Sequence, residues 1–301
     1  MTTRRPPRLL VSGGRGRLAA LIAEHFRTAG HEVALYSRQP APGYHDLAKL
    51  IGPDALSAAT AVLHLAWSTL PATAEQNPGA EQTHDLPLLE KLLATLAALP
   101  AERRPHFVFF SSGGAVYGNA PGRPNVESDA CHPIGRYGQA KLAAEEMIRA
   151  AAARHQLPCT ILRISNPYGY SVPSGRLQGI IPHAIRAAVE GRPLTLWGDG
   201  QARKDFIHYT DFLAALEAVL TRRLTGTFNL GAGESYRVGE ILALVEKHTG
   251  RKVATTTTPA AAWDVQDSRL DIRRLREATG WSPRITLDEG IRRFAAGQSA
   301  P

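Results

Sequence analysis

Cysteine is almost missing from this sequence: Cys131 and Cys159 are the only two among 301 residues. Two isolated thiols exclude a disulfide framework and a cysteine-based zinc site, so both are expected to be reduced and no metal is expected. Long apolar runs are missing too, and none approaches the roughly 20 residues that a membrane-spanning helix needs. The opening "MTTRRPPR" is basic, but the apolar patch behind it, from Leu9 to Ser12, is too short for a signal-peptide core. The expectation is a cytoplasmic protein with no membrane partner. Repeats and low-complexity linkers are also lacking. The one biased stretch, "TTTTPAAA" at 255–262, reads as a surface connection. Acidic residues are outnumbered, 27 against 35 lysines and arginines, for a net charge of +8. That balance suits anionic ligands. The cations are scattered, with no dense stripe and no interleaved aromatics, so nucleic acid is not an expected partner. A phosphate-bearing small molecule needs only a few of them.

What is present is an ordinary globular composition, 44% hydrophobic and 21% charged, with enough chain for one large or two modest domains. Short β-rich runs at 8–12, 32–36, 61–65, 107–111 and 159–163 alternate with helical patterns near 17–29, 81–98 and 136–155. Alternation of this kind predicts an α/β fold, a doubly wound parallel sheet of Rossmann type with helices on its faces. Runs at 206–208 and 227–230 read as later strands. The texture after about 166 is looser and richer in Gly and Pro. The expected organisation is a dinucleotide-binding domain over 1–165, rejoined by a strand and helix near 206–222, and an interleaved, smaller C-terminal α/β substrate lobe over 166–301.

Behind the first strand stands "SGGRGRLA", with the spacing Gly13-x-x-Gly16-x-x-Ala19 at the opening of a helix. Glycines let the backbone turn tightly and approach a pyrophosphate, the small third residue allows close helix packing, and the helix N-terminus offers N–H groups to phosphate. Arg15 and Arg17 belong to the same loop. An acidic residue at the end of the second strand would bind the ribose 2′-OH of NAD. That strand ends instead in Ser37 and Arg38. With Arg15 these suit a 2′-phosphate, so NADP is preferred over NAD.

The second signal is "RYGQAKLAAEEMI", which puts Tyr137 and Lys141 at i and i+4 on one helix face. A free phenol, with a pKa of about 10, is a poor base at neutral pH. A neighbouring ammonium favours the phenolate, which can then exchange a proton with a sugar hydroxyl or ketone while a nicotinamide carries the hydride.

Taken with "HDL" at 45–47, "LHLAW" at 63–67, "SSGGAVYG" at 111–118, "RISNPYG" at 163–169, "QGIIP" at 178–182, "WGDGQARKDF" at 197–206, "FNLGAGE" at 228–234 and "TGWSP" at 279–283, the chain resembles the extended short-chain dehydrogenase/reductases. The likeness is to nucleotide-sugar epimerases of the UDP-glucose 4-epimerase type, over nearly the whole length. The resemblance implies that Asp46 and Leu47 sit by the adenine, and that Leu65, Ala66 and Ser111 lie along the cofactor. It places Ile164 and Ser165 near the nicotinamide. Tyr137 would be the acid/base and Lys141 its partner. Asn166, Gln178 and Ile180 would face the nucleotide diphosphate, with Arg203 and Lys204 as its cations, and Trp197 would flank the base. A homodimer through the helix bearing the tyrosine and lysine is also implied.

The sequence departs from that pattern in instructive places. Many relatives carry Ser or Thr four residues before the tyrosine of "VYG", where it hydrogen-bonds the reacting oxygen; here that residue is Gly113. A subgroup carries Thr two residues before; here it is Ala115. Ser112 is the remaining candidate for the hydroxyl. The family's arginine before "DF" is Lys204, and another, three residues before the Asp of "WDV", is Ala261. Dehydratases of the family place an Asp and a Glu just before "VYG", where Gly114 and Ala115 stand, so dehydration lacks its acid. Three readings stay open: a nucleotide-sugar epimerase, an NADPH-dependent keto-sugar or other carbonyl reductase, and a dinucleotide-binding sensor with reduced catalysis.

Overall fold

The computed structural model describes residues 7–39, 41–120, 122–170 and 178–298. The strands are β1 (Arg8–Ser12), β2 (Glu32–Ser37), β3 (His45–Asp46), β4 (Ala61–His64), β5 (His106–Ser112), β6 (Cys159–Ile164), β7 (Asn166–Tyr168), β8 (Leu194–Trp197), β9 (Arg203–His208), β10 (Gly226–Leu230), β11 (Ser235–Arg237) and β12 (Thr255–Thr258). The helices are α1 (Arg17–Thr28), α2 (Pro53–Ser57), α3 (Pro71–Gln76), α4 (Leu86–Ala98), α5 (Arg136–His155), α6 (Ile180–Glu190), α7 (Tyr209–Arg222), α8 (Val238–Thr249), α9 (Arg273–Thr279) and α10 (Leu287–Gln298). Seven strands form the expected parallel Rossmann-like sheet, in the order β10-β6-β5-β4-β1-β2-β3. A three-stranded sheet, β11-β9-β7, and a two-stranded one, β12-β8, complete the described β-structure.

The inner strands of the sheet are buried along nearly their whole length, β4 and β6 completely, as strands of a parallel sheet are. In α1 the buried residues Ala19, Ile22, Ala23 and Phe26 repeat at i, i+3, i+4 and i+7, and in α4 Leu89, Leu92, Leu93 and Leu96 do the same. Each leucine buried in this way contributes about 1.5–3 kcal/mol. The pattern over 81–98 reads as one helix, but Glu81–Asp85 forms a turn of π-helix ahead of α4. Pro87 has no N–H to return to the preceding turn, so the ladder widens there. Residues 255–258 are a second departure. The four threonines are a strand and pair in parallel with β8, from Thr255 opposite Leu194 to Thr258 opposite Trp197. β-branching suits them to it.

The chain forms two compact units. One comprises Met1–Ser111, Gln139–Leu162 and Val219–Phe228, and the other Ser112–Gly138, Arg163–Ala218 and Asn229–Pro301. This differs from a cut at 165/166 in three ways, the first being that the break falls between Leu162 and Arg163. The segment after β5 goes with the second unit, and the returning piece begins at Val219, because β10 pairs beside β6 in the large sheet. The first unit has its own apolar core, including Leu10, Val62, Leu92, Phe107, Phe109 and Ile161. The second is centred on Ile181, Ile185, Phe206, Ile241 and Ile291.

Candidate active site

In the first unit the loop after β1 is a close-packed cradle. Gly13 has φ +70°, and a Cβ there would lie 2.9 Å from Ala66 N; a Cβ on Gly14 would lie 2.8 Å from Leu35 Cβ. The amide of Gly14 donates to Tyr36 O, and Ser12 Oγ accepts from Ala66 N and meets His64 Nδ1 at 2.9 Å. The loop is thereby locked to the ends of β2 and β4, which brings Gly13, Leu65 and Ala66 together. Gly16 caps the twelve-residue α1 with no side-chain hydrogen bond, so first-turn N–H groups are left for an anion. A backbone cradle that no side chain can enter, at an uncapped helix N-terminus, fits a dinucleotide pyrophosphate.

The end of β2 holds Ser37, whose Oγ accepts from Gln39 N, and exposed Arg38. Arg15 donates to Gln39 Oε1 at 2.9 Å. The sequence offers no carboxylate at the C-terminal end of β2, but the structure brings one alongside: Asp46 of β3 pairs opposite Ser37. Its Oδ1 accepts from Ala48 N and caps the 3-10 turn that begins at buried Leu47.

Lys141 is 4% exposed. Its Nζ donates to Phe110 O at 2.9 Å and stands 3.7 Å from the centroid of the Trp67 ring and 4.8 Å from that of Phe109. Burial pulls the ammonium down to about 7, against the pull of Asp85, Glu145 and Glu81, which raise it. Both Asp85 and Glu81 are buried, on the π-turn. Asp85 accepts from Ser68 N, and Glu81 from Thr69 Oγ1. Burial raises the Asp85 carboxyl. His64 is held neutral, lowered to about 3 by burial and then by Lys141. Ser111, placed along the cofactor by resemblance, gives its hydroxyl to Glu145 Oε1 at 2.6 Å. Glu81 and Asp85 carry no motif of their own, and sequence reasoning missed them; Trp67 closes "LHLAW" but was given no role.

In the second unit the turn after β5 begins at half-buried Ser112, whose carbonyl accepts from Ala115 N and Val116 N. Gly113 N donates to the carbonyl of buried Ile164, at the end of β6. A Cβ on Gly113 would meet Leu270 Cδ1 at 2.6 Å, Leu270 Cδ2 at 2.9 Å and Arg163 O at 3.0 Å. The place of the family's hydroxyl is therefore filled by a leucine from far along the chain. Tyr137 is half-buried at the start of α5. The next residue, Gly138, lets that first turn close on the same loop: a Cβ there would be 2.6 Å from Ala115 O. Tyr117 is the other phenol of the region. It donates to Asn229 Oδ1 at 2.7 Å beneath the Arg163 guanidinium, and burial pushes its pKa up, so it braces the loop instead of titrating.

The substrate-lobe candidates divide. Trp197 is 49% exposed and packs edge-on against Trp263 at 5.0 Å. Asn166 is exposed, with its Nδ2 donating to Asp205 O. Gln178 is exposed and Ile180 opens α6. Arg203 reaches the uncharged Ser235, whereas Lys204 is paired with Asp264 at 2.8 Å and also donates to Val265 O. Ser165 is buried, its amide donating to Leu230 O. Asp205 is fully buried and raised to about 7, burial outweighing the amides of Ala232 and Gly233 that donate to it. Among the described residues no cluster of His, Cys, Asp or Glu could hold a metal ion, and no helix is long and apolar enough to cross a membrane.

Similar proteins carry the same frame. The chain is 29% identical over 312 residues to a dTDP-6-deoxy-L-talose 4-dehydrogenase (NAD(P)(+)) of Kitasatospora kifunensis, covering 98% of this chain and 96% of that one. It is 29% identical over 234 residues to a dTDP-4-dehydro-6-deoxyglucose reductase of Escherichia coli, covering 76% and 72%. The structure of the Thermus thermophilus UDP-glucose 4-epimerase with NAD superposes with a TM-score of 0.85 at 25% identity, covering 98% of this chain and all of that one. Residues 9–231 match the model of the NAD dependent epimerase/dehydratase family. A match of that extent, on this sheet and this glycine cradle, settles the affiliation: the protein is an enzyme of the NAD dependent epimerase/dehydratase family, within the extended short-chain dehydrogenase/reductases.

Proposed function

We propose that this enzyme epimerises a nucleotide-activated sugar by transient oxidation and re-reduction at one hydroxyl-bearing carbon, with Tyr137 as acid/base. The observation that supports this best is Lys141, a buried ammonium one helical turn from Tyr137, aimed at the carbonyl end of β5. The nicotinamide dinucleotide supplies the hydride acceptor and donor when bound. Gly13, Gly16, Arg15 and Arg17 hold its phosphates, Leu65, Ala66 and Ile164 line it, and Asp46 and Leu47 hold the adenine. Arg15, Ser37 and Arg38 support NADP over NAD. Tyr137 takes the proton of the sugar hydroxyl and returns it, the positive charge of Lys141 favouring the phenolate between the two steps. Ser112 hydrogen-bonds the reacting oxygen. Trp197, backed by Trp263, stacks on the nucleobase, and Asn166, Gln178 and Ile180 lie along the diphosphate. Of the two cations, Arg203 is the one assigned to the diphosphate, since Asp264 already neutralises Lys204.

A second reading, an NADPH-dependent keto-sugar reductase, is favoured by the dehydrogenase and reductase named among the relatives. Purified protein mixed with UDP-glucose, UDP-N-acetylglucosamine, or keto-sugars plus NADPH separates the two. Epimer formed without net loss of NADPH supports the epimerase, and consumption of NADPH supports the reductase. Cofactor binding with no turnover on any sugar overturns both in favour of a sensor. Tyr137→Phe is expected to cost at least about 100-fold in kcat with cofactor affinity unchanged. A Phe variant that turns over normally refutes the acid/base assignment.

A further inference from the structure

The two glycines that follow Ser112 face a single stretch of chain. Residues 267–270 run extended between two bridges, Asp267 beside Arg203 and Leu270 beside Asn125. Asn119 Oδ1 accepts from both Gln266 N and Asp267 N, Ser268 N donates to Arg203 O, and Asn125 N donates to Arg269 O. Alternate side chains of an extended segment share a face. Asp267 and Arg269 pair with each other at 2.9 Å on one side. Ser268 and Leu270 point the other way, onto the glycines, and Leu270 fills the space beside Gly113. The Oγ of Ser268 lies 3.7 Å from the point that a Cβ on Gly114 would occupy, and the Oγ of Ser112 lies 3.9 Å from that same point. Ser268 is 1% exposed, and its hydroxyl has no hydrogen-bond partner among the described residues. Buried hydroxyls without partners are costly and rare.

We propose that Ser268 is a positioning residue for Ser112: its hydroxyl bonds to Ser112 Oγ across the open side of Gly114 and turns that oxygen toward the reacting sugar oxygen. This rests on the reading of Ser112 as the substrate-facing hydroxyl. Burial divides the roles, since Ser268 is too deep to meet a sugar and Ser112 is half-exposed. Both oxygens border the same point, and rotation about the two serine χ1 angles between staggered positions is the movement the bond requires. The bare Cα of Gly114 leaves the gap between the two oxygens clear.

The test is a double-mutant cycle on the full-length enzyme with the sugar nucleotide it turns over. Ser268→Ala is expected to lower kcat about tenfold or more with KM unchanged and with Tm little changed, because one neutral hydrogen bond contributes little net stability. In the Ser112→Ala background the same change is expected to cost less than about twofold, since the effect runs through Ser112. Gly114→Ala, whose methyl finds only ordinary contacts, is expected to fold and to reproduce the Ser268→Ala loss by parting the two oxygens. A wild-type kcat in Ser268→Ala, an undiminished loss in the Ser112→Ala background, or a loss of kcat matched by a fall in Tm overturns the proposal. Failure of the underlying reading shows elsewhere, as a wild-type kcat in Ser112→Ala alone.

Discussion

A side chain at position 113 has nowhere to go. Its Cβ would press on both methyls of Leu270 and on the Arg163 carbonyl, which cannot yield. Gly113→Ser is therefore expected to destabilise the enzyme by about 1–3 kcal/mol, as overpacking of a filled site does. Combining it with Leu270→Ala is expected to recover part of that loss, so the two changes together cost less than their sum. Urea unfolding of the four proteins measures the coupling. Strict additivity would mean that Leu270 is not what closes the site. The sequence shows that a hydroxyl is missing at 113, and points to Ser112 beside it. Neither Leu270 nor Ser268 was legible, because nothing in a one-dimensional pattern says which distant residue packs against a glycine.

At the scale of elements, α5 carries Tyr137 and Lys141 and grips the end of β5. Ala140, Ala144 and Ile148 give it a small, buried stripe, and Lys141 and Glu145 are buried one turn apart beside it. Lys141 holds Phe110 O and Glu145 holds Ser111 Oγ, so successive turns of the helix fasten successive residues of the strand. The i, i+4 spacing of Tyr137 and Lys141 was legible because helical periodicity survives in any context. The acidic π-turn facing the lysine was not, since Glu81 and Asp85 read as ordinary helix-surface residues. A lysine held down at about 7, against 10.5 for a free one, has a definite sign in stability. Between those values the unfolded chain binds a proton that the folded chain does not. Stability therefore rises with pH across that window, and this contribution is lost as pH falls toward 7. Denaturant unfolding of the cofactor-free enzyme at pH 7 and near pH 10 is expected to show the rise. Lys141→Met is expected to flatten it, by on the order of a few kcal/mol. Equal slopes in the two proteins would place the lysine in a more polar setting than its contacts imply.

For the molecule as a whole, cofactor binding is linked to folding, because the cradle exists only when β1, β2 and β4 are in register. A dinucleotide at about 100 times its Kd is expected to add about 2.7 kcal/mol to unfolding. Tm should therefore climb with cofactor concentration. If Arg15, Ser37 and Arg38 meet the ribose as proposed, NADP is expected to raise Tm at lower concentration than NAD. The opposite order would assign that corner to Asp46, the carboxylate that β3 sets opposite Ser37.

The sequence by itself determined the parallel sheet, the glycine cradle and the tyrosine and lysine on one helix face. Each is written in short-range spacing, where backbone geometry alone dictates what lies next to what. Only the tertiary structure decided that Asp46 stands beside Ser37, that Asp264 takes the charge of Lys204, and that residues 112–138 fold with the second unit rather than the first. It also decided that the glycines of "SSGG" make room for Leu270 and Ser268. Those contacts join segments far apart in the chain, and packing, not local propensity, selects them.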